Sequence, residues 1–143
     1  MIFGSPPAEL GGLWSTYFYN GRTFGTEIAR GFDVFAYTPT DDLSANEIQA
    51  ASEPQLDRLN AQLQSEIEWA PSFAVVRSHL DQLVRAGEID AKTLAKVNEH
   101  LDKAEAAGDG KKAKKELDKA AKALKGKETE ALRKAIEDLE KSL

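Results

Sequence analysis

Two histidines, His79 and His100, each stand two residues ahead of an aspartate, Asp81 and Asp102. Imidazole and carboxylate can hold a divalent metal together, but one helix presents two ligands on the same side only at spacings of three or four. A spacing of two sends them to opposite sides, so no metal site is expected. Glu27 and Asp33 are acids set in an aromatic, strand-like stretch. Two carboxylates across a cleft are what glycoside hydrolysis requires; the bland alternative, and the expectation, is that one of them pairs with Arg30 and fixes a turn. Ser15 and Thr16 have no histidine near them in sequence, and neither a nucleophile elbow nor a glycine-rich phosphate loop is present. No catalytic residue and no cofactor is expected.

The remaining chemistry is charge. Residues 111–127, KKAKKELDKAAKALKGK, hold eight lysines. At helical spacing Lys111, Lys115, Lys119 and Lys122 cluster on the side opposite Leu117 and Leu124, where solvent belongs. A solvated face is the ordinary outcome, and contact with an anionic surface polymer or lipid headgroups the functional one. With no arginine or aromatic among these lysines, neither base reading nor base stacking has its usual side chains. Nucleic acid is therefore not an expected partner.

The elements that position these groups begin with Leu13–Tyr37. Leu13–Tyr19 reads as a strand, and Asn20-Gly21 supplies the dipeptide best suited to a two-residue hairpin turn. Arg22–Ile28 is the return strand, Ala29-Arg30-Gly31 a second turn, and Phe32–Tyr37 a third strand ended by Pro39. Alternation places Trp14, Thr16 and Phe18 on one side of the first strand, with Leu13, Ser15, Tyr17 and Tyr19 on the other. In the third strand Phe32, Val34 and Ala36 oppose Asp33, Phe35 and Tyr37. Neither face is polar. A lone meander of this kind has open edges and apolar surface on both sides, so it needs further layers. Trp14, Tyr17, Phe18, Tyr19 and Phe35 are the expected interaction residues, through self-association or a larger partner; a glycan-binding aromatic platform is the alternative.

The run WSTYFYNGRTFGTEIARGFDVF resembles the final blade of bacterial LVIVD-repeat β-propeller proteins, in the aromatic strand, the Asn20-Gly21 turn, the segment from Gly25 to Gly31 and the closing Asp33-Val34. The later NEIQAA and APSFAVVRSHLDQLVRAG resemble that family's helical tail. The resemblance implies a bacterial extracellular or cell-surface setting and a sheet that docks onto other β-layers. Only about a dozen residues precede Trp14, so the earlier blades have no counterpart here. The expectation is a C-terminal piece, or a shortened relative that completes its sheet by other means. More thinly, SFAVVRSHLDQLVRAGEID and the later L-x(6)-A spacing resemble small FIMAH-type helical modules of secreted bacterial proteins, which implies an accessory module and not an enzyme.

Composition sets the frame around this stretch. The chain has 143 residues, 41% hydrophobic and 30% charged, and no cysteine, which excludes disulfide and thiolate chemistry. No run approaches the eighteen or more apolar residues of a membrane span, and MIFGSPPAELGG lacks the features of a signal peptide. Residues 1–70 carry 3 Lys+Arg against 10 Asp+Glu, and residues 71–143 carry 16 against 14, which marks a boundary near Pro71.

The expected class is α+β: a flexible lead-in over 1–12, a propeller-blade-like meander over 13–40, a helical connector over 41–70, and an antiparallel helical bundle over 71–143. Ser44 with Glu47 is a capping box that starts a helix at Ala45. Ser52 with Gln55 repeats the pattern around Pro54, and Leu56, Leu59, Leu63 and Ile67 align as the face of a second connector helix. Ser72 and Asp90 are further N-caps, Gly87 a terminator, and Gly108-Asp109-Gly110 a turn. In the bundle's first helix Phe73, Val76, Leu80, Leu83 and Val84 share a face. Short loops favour antiparallel neighbours.

Overall fold

The computed structural model describes residues 12–28, 31–60, 62, 66–108 and 110–143. The chain is α+β, and among the described residues a three-stranded antiparallel sheet is followed by five helices. It divides into two compact units, Met1–Trp69 and Ala70–Leu143. The proposed lead-in up to residue 11, the Ala29-Arg30 turn and the Arg30 ion pair, Leu63 and Asp109 lie outside the described residues.

The first unit is organised by its hairpin. β1 (Leu13–Tyr19) and β2 (Arg22–Glu27) are joined through Asn20 and Gly21, whose φ angles of 47° and 76° are both positive. That is the backbone a two-residue turn needs to match the right-handed twist of its strands. From Tyr19↔Arg22 the ladder runs evenly to Ser15↔Thr26, and then Leu13 pairs with Glu27. One residue, Trp14, is extra on β1. This bulge corrects the expected alternation: Leu13 leaves the face of Ser15 and Tyr17 and joins the opposite one. Its Cδ atoms lie over Gly25 beside Phe35, so close that a Cβ at Gly25 would stand 2.9 Å from Leu13 and 3.2 Å from Phe35. Gly12, assigned from sequence to a flexible lead-in, is tied down. Its N–H donates to Glu27 Oε1 at 3.1 Å, and its carbonyl accepts from Ile28 N at 3.1 Å. β3 (Gly31–Phe35) pairs with β2 from Thr23↔Phe35 to Glu27↔Gly31, and stops before Ala36 and Tyr37.

α1 (Ala45–Ser52) begins with the capping box read from sequence. The Ser44 hydroxyl accepts from Glu47 N at 3.1 Å, and the Glu47 carboxylate accepts from Ser44 N at 2.7 Å. The second connector helix does not form among the described residues between Glu53 and Trp69. The cap it relied on is spent elsewhere: Ser52 Oγ donates back to the Ile48 carbonyl at 2.7 Å. Leu56 N–H and carbonyl are taken by Asn20 instead of a helical ladder.

The second unit holds α2 (Phe73–Ala86), α3 (Ala91–Ala107), α4 (Lys111–Ala123) and α5 (Glu130–Ser142). Each packs on the next, and α5 returns to α2. The short connections turn the chain back each time, as in an up-down bundle. Ser72 caps α2 by accepting from Val75 N, Asp90 caps α3 by accepting from Lys92 N and Thr93 N, and Gly87 closes α2 at φ 69°. The core centres on Val76, Leu80, Val97, Leu101, Leu117, Leu132 and Ile136, each at most 2% exposed. Val84 departs from the expected face and is 45% exposed. It follows Leu83 by a single position, about 100° round the helix, which puts it at the margin of the buried face. Arg77 joins α2 to α3 by donating to Asp102 at 2.7 Å and Glu105 at 2.8 Å.

Candidate functional site

The register of the sheet sorts the aromatic residues into two groups. One face carries Ser15, Tyr17 and Tyr19 from β1, Phe24 and Thr26 from β2, and Phe32 and Val34 from β3. The other carries Phe18, Gly25, Glu27, Asp33 and Phe35, with Leu13 brought there by the bulge. The five expected interaction residues are therefore not one surface. Tyr17 and Tyr19 share the first face, Phe18 and Phe35 the second, and Trp14 projects from the bulge at 75% exposure.

The two faces differ in how far the chain covers them. On the second, Leu13 and Phe35 close over Gly25, Phe18 packs on Tyr37 at 6.2 Å between ring centres, and Thr23 shares a short hydrogen bond with the Tyr37 hydroxyl. On the first, Phe24 stacks at a tilt between Tyr19 at 6.1 Å and Phe32 at 5.9 Å. Tyr19 is anchored there, its hydroxyl donating to the Leu56 carbonyl at 2.7 Å. Tyr17, Tyr19, Phe24 and Leu59 line an open hollow of about 380 Å³. Phe32 stays 61% and Val34 56% exposed. Phe24, Phe32 and Val34 are not among the expected interaction residues, although alternation places Phe32 and Val34 on one face. Joining that alternation to the hairpin register was the signal that would have found them.

Among the candidate acids and nucleophiles, Glu27 and Ser15 have structural partners. Glu27 is buried, and its carboxylate holds Gly12, which fixes the start of β1. Ser15 Oγ and Thr26 Oγ1 bond to each other across the strands at 3.2 Å. In the second unit, burial pushes the His79 imidazole below its usual pKa. Nδ1 of His100 lies 2.8 Å from Glu116 Oε2, where α3 meets α4, and both side chains are nearly buried. Glu116 also accepts from Lys119 at 2.6 Å. The Lys119 bond first, and the His100 bond second, hold the Glu116 carboxyl down at about 2. Asp102 is engaged by Arg77. Among the described residues no three His, Asp or Glu side chains converge where a metal ion would sit.

The lysine face is real as a surface, but uneven. Ala113, Leu117, Ala120 and Ala121 turn into the core of the bundle, and Lys111, Lys112, Lys115 and Lys122 are exposed. Lys119 is half-buried beside Glu116, and Lys122 pairs with Asp118 at 2.7 Å. Lys111, Lys112 and Lys115 have no acidic partner among the described residues. No described helix is long and apolar enough to cross a membrane. No protein-family model matches the chain, and comparison with curated proteins and with solved structures gave no match.

Proposed function

We propose that this chain is a non-catalytic interaction module whose sheet docks onto another β-layer through the face of Tyr17, Phe24, Phe32 and Val34. The observation that carries this reading is the exposure of Phe32 and Val34 beside a buttressed aromatic row. Burying one such side chain is worth about 1.5–3 kcal/mol, so leaving a contiguous set in water is unfavourable unless something covers it. Among the described residues the sheet order β1-β2-β3 also leaves β1 and β3 as edges. The bulge interrupts the outer β1 edge, whereas β3 has an even ladder. The resemblance to the last blade of LVIVD-repeat proteins agrees with a docking sheet, and with a bacterial extracellular or cell-surface setting.

The occupant to test first is a second copy of the chain. Absolute mass by light scattering across protein concentration and salt is expected to show a salt-insensitive oligomer. Phe32→Ser with Val34→Ser should return it to a monomer with unchanged helical circular dichroism. A concentration-independent monomer would remove self-docking. A Phe32→Ser/Val34→Ser oligomer of unchanged mass would remove this face as the interface.

A further inference from the structure

We propose that the outer face of α4 is a charge-only binding surface for a linear, phosphate-bearing polyanion, independent of the sheet. α4 carries six lysines against Glu116 and Asp118. The two acids are consumed by Lys119 and Lys122, so they neutralise the carboxyl end of the stripe and leave Lys111, Lys112 and Lys115 without an acidic partner among the described residues. Lys111 and Lys115 stand four apart on one line, as do Lys115 and Lys119, and like charges at this spacing weaken a helix. Glu116 neutralises Lys119, but nothing among the described residues relieves the repulsion between Lys111 and Lys115. The chain as a whole has a formal net charge of −5, so this basic stripe stands against the overall balance.

The class of partner follows from what the face lacks. The apolar side of the helix is turned into the bundle: Ala113, Leu117, Ala120 and the following Leu124 are at most 3% exposed, and Ala121 8%. A helix that inserts into a membrane interface needs an available apolar face, and α4 has given its own to the bundle. No arginine or aromatic residue on α4 can fork onto a base edge or stack on a base. What remains is a row of point charges on flexible stems, about 6 Å apart along the helix at every fourth residue. A flexible polymer with a phosphate on each unit suits such a row.

The test is binding of long-chain inorganic polyphosphate to the whole chain by fluorescence anisotropy over a range of salt. Binding should weaken steeply with salt, because each neutralised phosphate releases counterions. Replacing Lys111, Lys112 and Lys115 by Gln should weaken it about tenfold or more and flatten the salt slope by about 2. The matched variant Lys92→Gln/Lys96→Gln/Lys134→Gln, with the same change in net charge at other exposed positions, should bind as the parent does. Three results would overturn the proposal: no polyphosphate binding at low salt, equal losses in both triple variants, or tighter binding to phosphatidylglycerol vesicles than to polyphosphate. Helical circular dichroism of each variant separates lost binding from lost folding.

Discussion

Asn20 satisfies both backbone groups of Leu56: its Oδ1 accepts from Leu56 N at 2.8 Å and its Nδ2 donates to the Leu56 carbonyl at 3.1 Å. The turn residue of the hairpin thus mimics a β-strand partner for a segment 36 residues away. One side chain sets the turn and also binds the chain leaving α1. Ser52, the last residue of α1, lies against the same turn at Gly21.

Substitution at Asn20 separates these two roles. Asn20→Gly keeps access to positive φ but loses both bonds to Leu56, and is expected to destabilise the first unit by about 1–3 kcal/mol. Asn20→Ala loses the bonds and adds left-handed strain of about 1–2 kcal/mol, so it should be worse. Trp14 and Trp69 both belong to the first unit, so denaturation followed by tryptophan emission reports on it. Equal midpoints for Asn20→Gly and the parent would show that the Leu56 bonds do not stabilise the native state.

The contact of Leu13 with Gly25 makes a second prediction. A methyl group at Gly25 would meet Leu13 Cδ2 at 2.9 Å and Phe35 Cε2 at 3.2 Å. Gly25→Ala is expected to destabilise the sheet by about 1–3 kcal/mol, the usual range for overpacking. Leu13→Ala in the same chain should recover part of that loss, because it vacates the occupied space. A double-mutant cycle on the tryptophan transition measures the coupling. Strictly additive effects would mean that Leu13 does not lie over Gly25, and the bulge at Trp14 would lose its support.

The hairpin was legible in sequence because its information is local. Asn20-Gly21 names a turn type, and alternation on either side names the strands. The bulge was not legible: nothing in the types of Leu13, Trp14 and Ser15 says which residue drops out of register, and that choice reverses the face of Leu13. The caps at Ser44, Ser72 and Asp90 were readable for the same local reason. The second connector helix, which does not form among the described residues, had an equally good cap signal at Ser52 and equally good leucine spacing. There Leu56 is instead held by long-range bonds from Asn20 and Tyr19, which no local pattern encodes. The charged surface of α4 was visible as a helical face, but the selective pairing of Lys119 and Lys122 depends on rotamers that spacing leaves open.

The bundle offers a direct comparison between two apolar residues of one expected class. Leu80 is buried against α2's neighbours, whereas Val84, four residues on, is largely exposed. Leu80→Ala is expected to cost about 2–5 kcal/mol through lost burial and a cavity. Val84→Ala should fall within about 0.5 kcal/mol of the parent. Urea denaturation followed by helical circular dichroism distinguishes them. A large loss at Val84 would mean that this side chain has a buried partner after all.

The Glu116 carboxylate gives the bundle a defined acid sensitivity. Its pKa falls from an ordinary 4.5 to about 2 in the folded chain, through Lys119 first and His100 second. A carboxyl depressed by folding stabilises the native state once it is ionised in both states, so the contribution is complete above pH 4.5. It is lost as the pH falls from 4.5 through about 2, because the unfolded chain then takes up the proton first. Glu116→Gln removes this dependence, since an amide does not titrate. The thermal midpoint of the parent should therefore exceed that of Glu116→Gln at near-neutral pH, and the gap should close as the pH approaches 2. The other carboxylates also titrate in this range, but they are common to both proteins and leave the difference intact. A gap that stays constant through the acid range would show that Glu116 acts through its shape and neutral hydrogen bonds, and not through its charge between α3 and α4.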